Sequence, residues 1–252
     1  MSQSCLRWRM LVIEIAMRHH LKFHKPARAS GFGMTELLVT LAVLALLAAV
    51  VLPAVTRSRA KSRLALCMAN VQKVNRAVLQ FAEENNERLP RVDGSPAPGG
   101  WWYYKEQVKE YLGLKGPPST NDTVFACPDD RGYGEEESAK PRPFCKSGKY
   151  VYTSYVFNGI NLPGIPNIAN REVSSILDPS RTLLVMEWTA HGPLSWHRSR
   201  TGKANTPFYN DGESVVGFVD GRVDFIKIYY DGLNAAYTRD PAPGYNYKYS
   251  GD

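Results

Sequence analysis

The chain has 252 residues, with 31 Lys and Arg against 24 Asp and Glu, 44% hydrophobic residues, 20 Gly and 17 Pro. This is ordinary globular composition with a small excess of turn formers, which excludes wholesale disorder, collagen and a multi-span membrane protein. The net charge of +7 is concentrated at one end: residues 1–31 hold six basic side chains and one acid, whereas the remaining 221 carry 25 basic and 23 acidic groups. That near balance implies no basic face wide enough for a phosphate backbone, so nucleic acid is not an expected partner.

From Leu37 to Thr56 the chain reads LLVTLAVLALLAAVVLPAVT, twenty residues without a charge. At about 1.5 Å per residue this reaches about 30 Å, one hydrocarbon thickness, and it reads as a membrane span. A buried core helix would show a polar stripe over this length, yet only Thr40 breaks the run before Pro53. A secretory signal would share the basic leader and the small residues Ala48, Ala49 and Ala54, but its apolar region would be shorter. It would also gain nothing from Glu36 at the start of the run, since an unpaired carboxylate is costly to bury.

The segment Ser30-Gly31-Phe32-Gly33-Met34-Thr35-Glu36-Leu37-Leu38-Val39 closely resembles the class III signal of type IV pilins and type II secretion pseudopilins. The resemblance implies that a prepilin peptidase cuts after Gly31 and methylates the new amine of Phe32. Glu36 becomes the fifth mature residue, and the amine of a neighbouring subunit neutralises it inside the apolar core of a filament. Gly33 and Thr35 depart from the usual small polar and branched aliphatic residues, which weakens the first turn of the helix. The leader is long for the class, and MRHHLKFHKPARASG from Met17 looks like a complete leader alone. Arg57, Arg59, Lys61 and Arg63 follow the span, so basic residues on both sides leave the topology open. The resemblance places the leader in the cytosol and the rest outside the inner membrane.

Beyond the span, Leu64, Cys67, Val71, Val74, Val78 and Phe81 form one stripe of a continuing amphipathic helix that should end near Asn85, before NNERLP. Pro53 is expected to kink or loosen the span. A turn-rich connector over 91–100 leads to WWYYKEQVKEYLGL, which predicts a second short helix. Strands are expected at Tyr150–Phe157, Thr182–Trp188, Ser214–Val219 and Arg222–Ile228, the last two joined as a hairpin by Asp220-Gly221. Loops fill 127–149, 158–171 and 189–213, and the tail DPAPGYNYKYSGD should be irregular. The expected fold class is α+β, pilin-like, with a long N-terminal helix on a small antiparallel sheet. Its parts are a leader (1–31), a transmembrane and assembly helix (32–56), an amphipathic helix (57–90) and an exported domain (91–252).

Several pieces, among them VFACPDD, SYVFNGINL, SSILDPSRTLLVMEW and VVGFVDGRVDFI, look like a pseudopilin-like group with a C-terminal His and Asp-Gly motif. Here His197 precedes Asp220-Gly221 by 23 positions and Arg222 follows it, a departure from that group's pattern.

Cys5 lies in the leader, leaving Cys67, Cys127 and Cys145. Three thiols in an oxidising compartment permit one disulfide. Cys127 with Cys145 is favoured, closing a loop worth about 3 kcal/mol of unfolded-state entropy, and Cys67 with Cys127 is the alternative. With no CxxC, a zinc ribbon or thioredoxin-type site is not expected. His191 and His197 lack a clear third ligand and read as surface residues. Asp129 and Asp130, with Glu135, Glu136 and Glu137, are weak calcium candidates, because the run lacks the alternating oxygen ligands of a calcium loop. No G-x-S-x-G elbow surrounds any serine, and no enzyme activity or resident cofactor is expected. Four Trp beyond the leader are read as core, with a glycan or partner surface as the other reading.

The resemblance therefore implies a structural subunit of a type II secretion pseudopilus or type IV pilus-like filament. Its partners are prepilin peptidase, other pilin subunits and an inner-membrane assembly platform, with the exported part in the periplasm of a bacterium. The alternative is a membrane-tethered periplasmic binding domain for glycan or protein that does not polymerise.

Overall fold

The computed structural model describes residues 33–92, 100–132, 142–192, 194–197 and 212–252. The chain divides into a unit ending at Pro53 and a unit covering Ala54–Asp252. Helix α1 runs Met34–Glu84. At its start Glu36 accepts a hydrogen bond from the Gly33 N–H at 3.0 Å, the reach-back half of a capping box that compensates for a glycine-rich first turn. From residue 34 to residue 59 every side chain is exposed. Among the described residues α1 is the one helix long and apolar enough to cross a membrane.

Within the second unit the character of α1 changes as the spacing predicts. Cys67, Asn70, Val71, Val74, Asn75, Ala77, Val78 and Ala82 are buried, with Leu64 and Phe81 partly covered beside them. The helix stops where Asn85 Nδ2 bonds back to the Phe81 carbonyl at 2.8 Å and Asn86 and Glu87 turn left-handed at φ of 57° and 58°. The expected second helix is α2, Tyr104–Val108, continued by one 3-10 turn to Leu112.

Four strands, β1 (Tyr155–Phe157), β2 (Leu183–Glu187), β3 (Glu213–Phe218) and β4 (Val223–Lys227), form an antiparallel meander in chain order. The fold is thus α+β, with a pilin-like architecture. The Asp220-Gly221 hairpin forms as expected: Gly221 takes φ of 90°, open to glycine at no steric cost, and Glu213 pairs with Lys227 through to Gly217 with Val223. The strand expected from Tyr150 begins only at Tyr155. Buried Lys105 explains the loss, because its Nζ donates to the Val151 and Tyr152 carbonyls at 2.8 and 3.2 Å and pairs with Asp122 at 2.8 Å. Those carbonyls are gathered by a left-handed turn, φ 53° at both residues, that no strand can contain.

Helix α1 and the sheet approach closely. Asn75 Nδ2 donates to the Phe218 carbonyl at 2.9 Å and Gln72 Nε2 to the Gly221 carbonyl at 2.8 Å. A Cβ on Gly217 would lie 2.6 Å from Asn75 Oδ1 and 3.2 Å from the Val185 carbonyl, so only glycine fits beneath the helix. Trp102, Phe144, Tyr150, Trp188 and Trp196 pack together, and all five residues of β2 are buried. Trp102, Trp188 and Trp196 are core residues, not a glycan surface. The tail carries no strand or helix longer than one 3-10 turn, yet Tyr247 and Tyr249 are buried and Lys248 bridges to Thr182 in parallel.

Replacing Gly217 with Ala is expected to destabilise the protein by about 1–3 kcal/mol through overpacking. Denaturant unfolding of the full chain in detergent should show a lower midpoint at unchanged slope, and an unaltered midpoint would refute the close approach.

Candidate functional site

The sequence-based candidates fall into separate places. Gly31 and Phe32 lie outside the described residues, as do Glu135, Glu136 and Glu137. Glu36 is exposed at the first turn of α1. The disulfide joins Cys67 to Cys127, with Cα atoms 5.2 Å apart, and Cys145 is a free thiol, so the favoured Cys127 to Cys145 pairing is corrected to the alternative. The physical reason is docking of the 123–127 loop on α1. Asn70 Nδ2 donates to the Ala126 carbonyl at 3.0 Å and reaches that of Thr123 at 3.4 Å, which brings Cys127 over Cys67 one turn earlier. Burial, with Asp130 adding to it, pushes the Cys145 thiol up to about 11.

The two carboxylates considered for calcium are put to different uses. Asp130 accepts from the Gly132 and Cys145 N–H groups at 2.8 and 2.9 Å and from Ser154 Oγ at 2.7 Å, which fixes the loop on the core. Asp129 pairs with Arg63 Nε at 2.5 Å and His197 Nδ1 at 2.9 Å. His191 and His197 do not converge. His191 is buried among Trp101, Tyr237 and Tyr249, with Nδ1 lacking a hydrogen-bond partner among the described residues. Asp220-Gly221 serves as a turn, Asp220 accepting the Arg222 N–H at 2.9 Å.

What does converge is a buried polar line that the sequence reading did not assemble. Glu187, the last residue of β2, is fully buried; Oε2 accepts the Val215 N–H at 3.0 Å and Oε1 meets His197 Nε2 at 2.8 Å. The residue before His197 is tied to the segment after Cys127, since Arg131 donates to the Trp196 carbonyl and Trp196 Nε1 to the Gly132 carbonyl at 3.0 Å. Its ring carries a carboxylate on each nitrogen, and Nε2 lies 3.6 Å from Cys127 Sγ. Burial alone would lower the His197 imidazole, but Glu187 and Asp129 outweigh it and hold the group above its usual range. With both nitrogens donating, the ring bridges Glu187 in the core to Asp129 and Arg63 at the rim. A carboxylate closing the apolar stretch TLLVMEW was the available signal for Glu187.

The line offers charge balance and donor atoms rather than an assembled nucleophile. No protein-family model matches the chain, and the comparisons with curated proteins and with solved structures found no match.

Burial holds the His191 imidazole down at about 3. The unfolded chain takes up that proton near pH 6.5, so the stability this group confers is present above about 6.5 and lost as pH falls. His197 has the opposite sign: its stabilisation is present below about 6.5 and lost as pH rises through its raised value. Between about pH 7 and pH 5, His191 alone should remove about 2 kcal/mol. Unfolding of parent chain and His191→Phe variant at both pH values should show the variant losing less, and equal losses would refute this. Non-reducing peptide mapping should recover Cys67 linked to Cys127, with Cys145 alkylated.

Proposed function

We propose that the chain is a non-enzymatic structural subunit of the prepilin or pseudopilin class. It is cut after Gly31 by prepilin peptidase and methylated on Phe32. One span holds it in the bacterial inner membrane with its remainder in the periplasm, and an assembly platform polymerises it with other subunits into a secretion pseudopilus or pilus-like filament.

The observation that carries this reading is the surface of the first half of α1. Met34, Leu38, Leu46 and Val50 are 80, 61, 70 and 72% exposed, far more apolar area than a chain keeps in water. A bilayer covers such a helix before assembly, and the same helices of neighbouring subunits cover it afterwards. The one carboxylate of this segment, Glu36, then needs a cation in an apolar setting. It spends one acceptor site on the Gly33 N–H and retains lone pairs for the Phe32 amine of a neighbour. That ion pair fixes axial register, while apolar packing supplies the attraction.

Protein from native membranes should begin at N-methylated Phe32 by intact mass and N-terminal sequencing. An intact leader, or a cut beyond the apolar run, would overturn the reading. A Glu36→Ala variant should be processed at a near-normal level yet fail to enter filaments; normal incorporation would remove the pairing.

A further inference from the structure

The polar line ends in a constellation that neither filament assembly nor a plain disulfide requires. Cys67 on α1, Cys127 in the loop after the 123–125 turn, Glu187 at the end of β2 and His197 in the following loop converge there. One donor atom from each lies within 4.8 Å of all the others. The two cysteines and Glu187 are buried, and the His197 side chain is 3% exposed.

We propose that the dithiol form of this chain binds one divalent cation of the zinc class through Cys67 Sγ, Cys127 Sγ, His197 Nε2 and a Glu187 carboxylate oxygen, and that forming the disulfide releases it. Two thiolates, an imidazole and one carboxylate are a donor set suited to a borderline-soft ion in a closed tetrahedral site. Tetrahedral bonds of about 2.0–2.3 Å put donor atoms about 3.3–3.8 Å apart. Cys127 Sγ and His197 Nε2 already stand at 3.6 Å, and the two sulfurs, bonded to each other in the disulfide, must move apart by about 1.5–2 Å on reduction to reach the same spacing.

The outer contacts are those of a metal-binding histidine. Asp129 holds Nδ1 at 2.9 Å, which directs Nε2 inward, and Arg63 holds Asp129. Glu187 is oriented through its other oxygen by the Val215 N–H. In the disulfide form, the Nε2 proton shared with Oε1 occupies the place of the cation between those two ligands. Uptake by the dithiol form releases that proton and the two thiol protons. In the reverse direction a disulfide oxidant such as oxidised glutathione takes two electrons from the thiolates. The Cys67–Cys127 bond forms, the oxidant takes up two protons and leaves as two thiols, the cation departs, and Nε2 regains its proton.

The test uses the untagged full chain in detergent, reduced with a phosphine under anaerobic conditions and titrated with Co2+ alone. Thiolate-to-cobalt charge-transfer bands and tetrahedral d–d bands should saturate at one ion per chain, be displaced by Zn2+ and vanish on adding oxidised glutathione. The oxidised chain and a C67S/C127S variant, which retains Cys5 and Cys145, should show neither set. Asp129→Asn should weaken binding about 10- to 100-fold with the thiolate bands retained. Circular dichroism monitors folding. A reduced chain that is unfolded alone and regains near-ultraviolet signal with Co2+ supports the site, and one that stays unfolded with the ion overturns it. A folded reduced chain without thiolate bands, or bands that survive cysteine replacement or oxidation, also overturns it.

Discussion

The contact on which the rest depends is the docking of the second half of α1 against the sheet, where Asn75 lies over Gly217 with no room for a single methyl group. Once that spacing is set, the helical repeat distributes the other attachments along one face. Arg63 meets Asp129, Cys67 meets Cys127, Asn70 meets the Ala126 carbonyl, and Asn75 meets the Phe218 carbonyl. The helix acts as a ruler against which loop and strand are aligned. The amides contribute register where Val71, Val74 and Val78 contribute burial. Apolar contact alone tolerates sliding, whereas a buried amide out of register loses its acceptor at a cost of about 1–3 kcal/mol.

The same face governs the electrostatics. Burying Glu187 and His197 is expensive in itself, and it is tolerated because each charge meets a partner within hydrogen-bond distance and the chain of partners ends at a half-exposed arginine. Such a line gives little net stability relative to apolar packing, but it is unforgiving of the loss of one member. Net stability does not account for this polar interior, which lies directly against the two cysteine sulfurs.

Periodicity made much of this legible. The 3,4 spacing from Leu64 to Phe81 predicts the buried face of α1, and Asp-Gly between two β-rich runs predicts the β3–β4 hairpin to within a residue at each end. What stayed hidden was set by distant partners. Nothing local marks Val151 and Tyr152 as a left-handed turn, because their carbonyls are collected by Lys105, some 46 positions earlier. The Cys67–Cys127 disulfide is hidden for the same reason, since loop-closure entropy concerns only the unfolded chain, while the pairing follows Asn70 and the loop it holds. His197 looked like a surface residue because its two carboxylates come from elements 10 and 68 positions away. Tyr247 and Tyr249 sit in a segment with no periodicity, yet both enter the core.

The hydrogen bonds from Gln72 and Asn75 to the β3–β4 region span 149 and 143 positions of chain. A ribosome thus completes the amphipathic stripe of α1 long before it makes the strand that covers it. Local order cannot shelter that stripe in the interval, and closing so large a loop precedes any reward from packing, which works against fast folding. The helix is made first and buried last, so the nascent chain presents a sticky, half-finished surface for most of its synthesis, and a holding factor has its longest window of action there.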